Sequence, residues 1–432
     1  MRNKIILICC GIIFLLADIC FCLDDSFRLS STGYIEVDRK GNIWVKGYRQ
    51  KRYYPSILKL SKEGKLISSI CEELYDTAST ITSGAYFFKA RGMYHARPDE
   101  KTFLDDDGAI YFKRKEDVKN LFGYLRTEAS INNLLERVIH PSKAIINSKG
   151  QLCVLGTGLE KVKLPLLIKG RVKKRDNGEI IYEERYEPRL AILDREDGHP
   201  IKVFGKPGVN KGEIVWPLDI AVDSKDNMYI TDSRRGKVLK FDSEGNFVRE
   251  WGKWGSGDGE FKDLHAIDID KKSDTIYVTE SYIHSAVDPY EVSQYRVQKF
   301  DSEGNFLGRW GGDRITGVGL YWFAPVFMRE YDLREPKSIA IAPDGMVWLI
   351  ESWRASVSKF SPDGELLLRF GGEGDINGDS RGLIGSYSEG IAVGPDGTVY
   401  VCDNGRRKGK EGLVRIVKYD SNGKYLGEIK GD

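Results

Sequence analysis

Histidine and cysteine are scarce in this chain, whose 432 residues include five histidines and seven cysteines. Four of the cysteines lie within the first 22 residues, which leaves only Cys71, Cys153 and Cys402. An odd and scattered set provides neither a disulfide framework nor the paired cysteines of a zinc site. We expect Cys153 and Cys402, which fall in apolar stretches, to be small buried side chains.

An excess of charge of one sign is also absent. Lys and Arg together number 66 and Asp and Glu 64, which gives a net charge of +2 with the two signs interspersed. A chain of this kind has no general attraction to nucleic acid, so we expect no nucleic-acid partner. The sequence also lacks a coiled coil, a low-complexity tract and the G-x-S-x-G elbow of serine hydrolases.

The first 22 residues have the pattern of a signal peptide. Arg2 and Lys4 precede an apolar run, residues 5–17, which is too short to span a membrane. We therefore expect an exported protein, periplasmic or secreted, with no transmembrane span in residues 23–432. Lipid anchoring is the less favoured alternative, because Cys20 and Cys22 follow Ile19 and Phe21 rather than a small residue.

One pattern recurs along the rest of the chain. A short apolar stretch with a central aromatic residue follows a polar turn such as DRKGN or DSKDN, and a second hairpin such as VLKFDSEGNFV follows it. The central residue of the third copy is Cys153 instead of an aromatic. The seven copies of the apolar stretch are residues 43–45, 110–112, 152–154, 228–230, 276–278, 347–349 and 399–401.

Repeated four-strand units of about 40 to 50 residues predict a β-propeller, an all-β ring of antiparallel sheets. The motifs PLDIAVDSKDNMYITD, VLKFDSEGNFVREWG and GSGDGEF closely resemble NHL repeats. The resemblance is strong over residues 210–432, moderate over 33–70 and degenerate over 71–205. We count seven blades, with six as the alternative if the second or third unit is an insertion.

The resemblance implies one propeller domain over residues 23–432, with insertions at 71–100, 156–188 and 312–336. The turns between strands 1 and 2 and between strands 3 and 4 are short, whereas the long connections join strands 2 and 3 or successive blades. In an antiparallel sheet these two kinds of connection emerge on the same rim. One face should therefore be rich in loops and the other plain, and repeat scaffolds usually bind their ligands on the elaborated face.

Carboxylates stand where the second strands end. They are Asp232, Glu280, Glu351 and Asp403. One interpretation is a ring of oxygen ligands at the channel mouth that could hold calcium. The other, which we favour, is that these side chains cap the backbone of the adjoining connections.

Aromatic and basic residues on the connections of the loop-rich face are the expected ligand-binding set, because such side chains usually anchor interfaces. They are Tyr282, His284, Tyr321, Trp322, Arg234, Arg235, Arg354 and Arg406. No catalytic residue and no cofactor is predicted. We expect a monomeric, exported, non-catalytic scaffold that recognises a protein, peptide or glycan.

The alternative function is that of a metal-dependent propeller hydrolase or lyase, such as a calcium lactonase. His265 resembles a zinc-ligand position of the propeller lyases, but a catalytic zinc needs three protein ligands. The equivalent positions of the other units carry Ser142, Leu218, Lys337 and Glu389.

Overall fold

The computed structural model forms six four-stranded antiparallel sheets arranged as blades around one axis. The residues that it describes are 27–29, 34–49, 56–70, 86–89, 102–104, 109–112, 140–195, 200–282, 293–314, 333–372, 382–385, 388–403 and 414–430. Among these residues, no helix is long and apolar enough to cross a membrane.

Blade 1 is built from the first five strands. These are β1 (Phe27–Leu29), β2 (Ile35–Val37), β3 (Ile43–Arg49), β4 (Ser56–Leu60) and β5 (Leu66–Ile70). Both β1 and β2 pair with β3, one with each end of it, so together they form the inner strand of the blade. The following strands, β6 (Tyr86–Lys89), β7 (Thr102–Leu104) and β8 (Ala109–Phe112), form a separate three-stranded sheet.

Blade 2 carries the first insertion that the structure describes. Its strands are β9 (His140–Ile146), β10 (Leu152–Pro165), β13 (Tyr182–Leu193) and β14 (Pro200–Phe204). Residues 156–188 form a projecting hairpin: β10 and β13 continue beyond the sheet, and β11 (Leu167–Ile168) and β12 (Arg171–Val172) lie between them. After blade 2, β15 (Lys206–Pro207) pairs in parallel with β16 (Glu213–Ile214).

Blades 3 to 6 are regular meanders. Blade 3 comprises β17 (Pro217–Val222), β18 (Met228–Asp232), β19 (Lys237–Phe241) and β20 (Phe247–Trp251). Blade 4 comprises β21 (Leu264–Asp270), β22 (Thr275–Tyr282), β23 (Ser293–Phe300) and β24 (Phe306–Arg314). Blade 5 comprises β25 (Pro336–Ile341), β26 (Val347–Glu351), β27 (Ser356–Phe360) and β28 (Leu366–Gly371), with a 3₁₀ turn, η1, at Ser352–Arg354. Blade 6 comprises β29 (Gly390–Val393), β30 (Val399–Asp403), β31 (Arg415–Tyr419) and β32 (Tyr425–Lys430).

The count of seven blades is wrong, and the alternative of six is correct. Inner strand β2 of blade 1 contacts β9 of blade 2 directly, and the inner strands continue in order around to β29, which contacts β2. The β6–β8 sheet therefore does not stand between two blades. Residues 110–112 do form a strand, but the second repeat unit has no K-F-D third strand with which to complete a blade.

The recurring D-x-x-G-N turn is explained by its hydrogen bonds. In the turn of blade 3 that joins strands 3 and 4, Asp242 accepts the N–H groups of Glu244 and Asn246 and the side-chain amide of Asn246. Gly245 adopts a φ of +77°, a conformation that favours glycine. The aromatic residue of the second strand supports the turn between strands 1 and 2. In blade 3 the Tyr229 hydroxyl donates to the Asp223 carboxylate of that turn over 3.0 Å.

The lysine of the K-F-D motif connects neighbouring blades. In blade 3 the Lys240 ammonium lies 5.1 Å from the ring centre of Tyr229 and donates to the Ser302 carbonyl of blade 4 over 3.0 Å. The same lysine in blades 4, 5 and 6 reaches the 3–4 turn of the next blade. These bonds run from Lys299 to Pro362 O, from Lys359 to Ser421 O and from Lys418 to Lys62 O.

Aromatic rings also connect neighbouring blades in the interior of the propeller. The last aromatic of one blade packs on the K-F-D aromatic of the next, as in Trp251 on Phe300 at 6.0 Å and Phe370 on Tyr419 at 4.8 Å. Blade 6 meets blade 1 through an apolar cluster that includes Ile43, Leu58 and Ile416. The repeated motif thus specifies the contact between blades as well as the blade itself.

Replacing Lys240 with Met should lower the free energy of unfolding by about 2 kcal/mol, because a charged hydrogen bond and a cation–π contact are lost while the aliphatic stem remains. Urea denaturation would measure the loss. Lys225→Met, at an exposed turn position, is the matched control and should stay within about 0.5 kcal/mol of the parent. Equal stability of the two variants would remove the proposed role of the lysine.

Candidate functional site

The 156–188 hairpin covers part of the loop-rich face. Leu164 and Leu167 of the hairpin form a buried cluster with Val215, which lies on the connection from blade 2 to blade 3. A Cβ at Gly170 would stand 2.7 Å from the Cβ of Trp254, so the hairpin tip lies directly on the rim of blade 3. The hairpin is therefore a packed part of the surface.

Trp216 lies at the base of this hairpin in contact with two guanidinium groups. Arg185 is 3.6 Å and Arg234 is 4.4 Å from the ring centre of Trp216. Glu183 binds both arginines, at 2.8 Å from Arg185 and 2.7 Å from Arg234. The indole is held in a fixed position and remains 37% exposed.

A second exposed indole stands on blade 5. Trp353 belongs to η1, on the connection between the second and third strands, and is 60% exposed. The Arg334 guanidinium lies 5.1 Å from its ring centre. Arginine contact with the ring of an exposed tryptophan thus occurs twice on the loop-rich rim.

The outer side of the hairpin is aromatic as well. Tyr182 and Tyr186 are each 55% exposed, and they alternate with Glu184 on one face of β13. The Lys161 ammonium lies 5.6 Å from the Tyr186 ring centre. These tyrosines extend the aromatic surface from Trp216 along the hairpin.

Three of the predicted ligand-binding arginines are paired with carboxylates. Arg234 binds Glu183, Arg235 is buried against Glu250 at 3.0 Å, and Arg354 lies 3.8 Å from Glu351. Tyr282 ends β22, and its side chain lies outside the described part of the structure. The remaining members of the predicted set also lie outside it: His284, Tyr321, Trp322 and Arg406.

The four carboxylates that end the second strands are fully buried, one in each of blades 3 to 6. Asp232 accepts the N–H groups of Val215 and Trp216 at 2.8 and 3.1 Å. Glu351 accepts the N–H of Arg334 at 2.8 Å and is bound by Arg369 at 2.8 Å. Each carboxylate thus holds the backbone that enters its own blade, as the capping interpretation expects.

Blades 4 and 6 add a buried arginine to this arrangement. Glu280 is paired with Arg296, which also donates to the carbonyls of Ser256 and Glu260 at 2.7 Å each. The GSGDGEF motif is therefore a segment wrapped around one guanidinium group. In blade 6, Asp403 accepts the N–H of Gly385 and is bound by Arg415, both at 2.9 Å.

Within the described ranges, no group of three or more His, Cys, Asp or Glu side chains is arranged to hold a metal ion. Burial raises the pKa of Glu280, and the hydrogen bond and charge of Arg296 oppose that shift. Burial lowers the pKa of His265 to about 3, and the nearby charges of Lys337 and Lys143 lower it further. His265 is therefore a neutral imidazole beside the channel.

A cavity of about 330 Å³ lies on the axis and extends to the 1–2 turns on the plain face. Acidic residues of three blades line it: Glu36 and Asp38 of blade 1, Asp219 of blade 3, and Asp268 and Asp270 of blade 4. Burial raises the pKa of Glu36 to about 8 and that of Asp268 to about 6.

Several of these residues were missed at the level of sequence. Trp353 could have been found from the sequence, because it adjoins Arg354, one of the predicted ligand-binding residues. Trp216 has a weaker indication, since its partners Arg185 and Glu183 come from the distant hairpin. Glu36 could not be assigned to a cavity, because only ring closure brings it close to Asp219 and Asp268.

Comparisons with known proteins agree with this architecture. A family model described as a 6-bladed beta-propeller matches residues 213–297. The RING finger protein nhl-1 of Caenorhabditis elegans is 35% identical over 105 residues, which are 24% of this chain and 9% of that protein. The protein brain tumor of Drosophila melanogaster is 22% identical over 186 residues, 43% of this chain and 15% of its own length.

Solved structures give weaker likenesses. A streptogramin B lyase aligns with 94% of this chain and 86% of its own at a TM-score of 0.43 and 11% identity. A gluconolactonase of Xanthomonas campestris aligns with 57% of this chain and 72% of its own at a TM-score of 0.37 and 17% identity. Scores at this level support no statement about activity.

The ring of six four-stranded sheets, the family match and the relatives together define this chain as an NHL-type β-propeller. The matched relatives are much longer proteins, of which this chain spans less than a fifth. Their likeness therefore concerns the propeller.

Changing Glu280 to Gln should lower the free energy of unfolding by about 3 kcal/mol, because Arg296 loses the charge that balances it in the interior. Glu303→Gln removes an exposed ion pair with Arg249 and should cost less than about 1 kcal/mol. Denaturation with and without a chelator would distinguish the two possible roles of Glu280, which are pairing with Arg296 and binding a metal ion. A chelator that destabilises the parent as much as the substitution does would support metal binding instead.

Glu36 should make stability fall as pH rises. Its folded pKa is about 8 against an ordinary value of 4.5, so between these values the folded state keeps a proton that the unfolded state has released. Glu36→Gln should match the parent at pH 4.5 and become increasingly more stable than it up to pH 8. Thermal unfolding across this range measures the difference, and parallel pH profiles would contradict the expectation.

Proposed function

We propose that this protein is an exported, monomeric, non-catalytic scaffold that binds a protein, peptide or glycan on its loop-rich face. The observation that carries the proposal is the pair of exposed indoles, Trp216 and Trp353, each in contact with arginine on the same rim. An aromatic surface held in place before binding loses little side-chain entropy when a partner arrives. Such rings can stack on the side chains of a peptide or on the faces of a sugar.

The charges around Trp216 favour recognition over catalysis. Arg185 and Arg234 share the Glu183 carboxylate, so both guanidinium groups are held beside the indole by the same ion-pair partner. The buried carboxylates of blades 3 to 6 are engaged by backbone N–H groups or arginine side chains.

The proposal that the protein is exported rests on the first 22 residues, where a basic start precedes an apolar run. The relatives carry the repeat in longer chains. The ring offers them and this chain the same kind of rigid support for a variable surface.

Replacing Trp216 and Trp353 together with Ala should reduce the affinity for a partner at least tenfold, because anchors at the centre of an interface contribute most of the binding energy. A peptide display library and a glycan array would supply partners for the parent chain. Titration would then compare the variants, including Tyr321→Ala with Trp322→Ala.

Leu307→Ala is the matched control, because Leu307 is 53% exposed on the outer strand of blade 4. It should bind as the parent does. Unaltered melting temperatures would show that the indoles act in binding rather than in folding. Undiminished affinity in the double tryptophan variant would refute the proposed surface.

A further inference from the structure

The axial cavity on the plain face is distinct from the proposed recognition surface. It is lined by the inner strands of all six blades and, at its mouth, by the 1–2 turns. Small side chains leave it open, since blade 5 contributes Ser338 and blade 6 contributes Gly390 at the register where blade 3 has Asp219. A space of about 330 Å³ is sufficient for a small molecule.

Asp219 and Asp268, two of the acidic residues that line the cavity, are held by backbone N–H groups. Asp219 accepts the N–H of Ile267 in the next blade over 3.1 Å, and Asp268 accepts the N–H of Ile341 in the next blade over 2.7 Å. Lys143 lies 3.8 Å from Asp219 and is the one lysine of the inner strands paired with these carboxylates in the described part of the ring.

Glu36 differs from both of them. It occupies the register of Asp268 on blade 1, three blades away and therefore on the opposite side of the axis. Its side chain is half-buried and lines the cavity. It has no hydrogen bond or ion pair with any residue of the described ranges, so a half-buried carboxyl group lines the cavity without a partner.

The surroundings of Glu36 are mainly acidic. The ionisable groups that face it are Lys271, Asp268, Asp219 and Asp38, three of them acidic. Burial raises the pKa of Glu36 to about 8; the positive charge of Lys271 opposes this shift, and the three carboxylates add to it. A cation bound beside Glu36 would favour its ionised form and so oppose the shift.

The cation is better matched by an ammonium group than by a metal ion. The described residues provide no set of three metal-binding side chains. An ammonium group carries three N–H donors that reach acceptors 2.7 to 3.2 Å away, so it can bridge carboxylates that do not converge on one point. At the mouth, the exposed basic side chains of Arg39 and Lys271 suit an anionic group at the other end of the ligand.

We propose that the axial cavity binds a small zwitterion of the amino-acid class, with its ammonium group between Glu36 and Asp268 and its carboxylate at Arg39 and Lys271. Binding ionises Glu36, which is protonated in the empty cavity at pH 7. The proton leaves to solvent as the ammonium group takes its place, so charge balances within the site. This ligand does not depend on the partner of the loop-rich face.

Isothermal titration calorimetry at pH 7 with four probes tests the proposal: 4-aminobutanoate, butylamine, butanoate and calcium chloride. We expect 4-aminobutanoate to bind most tightly, butylamine more weakly and butanoate not at all. Titration in buffers of different ionisation enthalpy should show release of about one proton on binding of either amine. Glu36→Gln should weaken binding at least tenfold and abolish the proton release.

Asp268→Asn is the second variant, because it keeps the acceptor for Ile341 and provides the test if Glu36→Gln fails to fold. Glu63→Gln, in the 3–4 turn of blade 1, is the control and should bind as the parent does. Absence of heat with both amines overturns the proposal. Binding of calcium without binding of amines overturns it too, as does amine binding that Glu36→Gln leaves intact.

Discussion

The architecture depends on the contact between one blade and the next. In four of the six blades, the K-F-D lysine crosses to the 3–4 turn of its neighbour and donates to a carbonyl group there. A single blade has two apolar faces and cannot remain folded alone, so the ring is stable only when these faces and lysine contacts form together. The loop-rich face and the axial cavity both exist because six interfaces between neighbouring blades close the ring.

This constraint explains why the two faces differ. On the plain face, the turns must keep their length and their carbonyl positions, since the lysines bind them. On the opposite face, buried carboxylates such as Asp232 and Glu351 hold only the last residues of the connection that enters each blade. Beyond those bonds the chain is free to lengthen, as it does in the 156–188 hairpin.

Much of the fold was predictable, because the repeat encodes local structure and interblade contact in the same residues. The aromatic residue of the second strand, the Asp of the turn and the K-F pair each recur at fixed spacing, so the sheets followed from the sequence. Blade number did not follow, because residues 110–112 keep the aromatic strand of a repeat while the rest of that unit has diverged. The local sequence pattern specifies a strand, whereas the incorporation of that strand into a blade depends on contacts with residues distant in sequence.

The candidate sites were harder to predict for the same reason. The capping role of the four carboxylates was the favoured interpretation, since it concerns residues within one blade. The contact of Trp216 with Arg185 joins the start of blade 3 to the hairpin of blade 2. Glu36 of blade 1 faces residues of blades 3 and 4. These contacts form only when the ring closes, so no spacing along the sequence predicts them.

The meeting of blade 1 with blade 6 has a consequence for folding. Five interfaces join blades that follow each other along the chain, but here Lys62 pairs with Asp396 across 334 residues, and Lys418 reaches Lys62 across 356. Contacts between distant residues carry the greatest loss of chain entropy and form slowly. We expect the blades to assemble in sequence into an open arc, whose two ends join in the last step of folding.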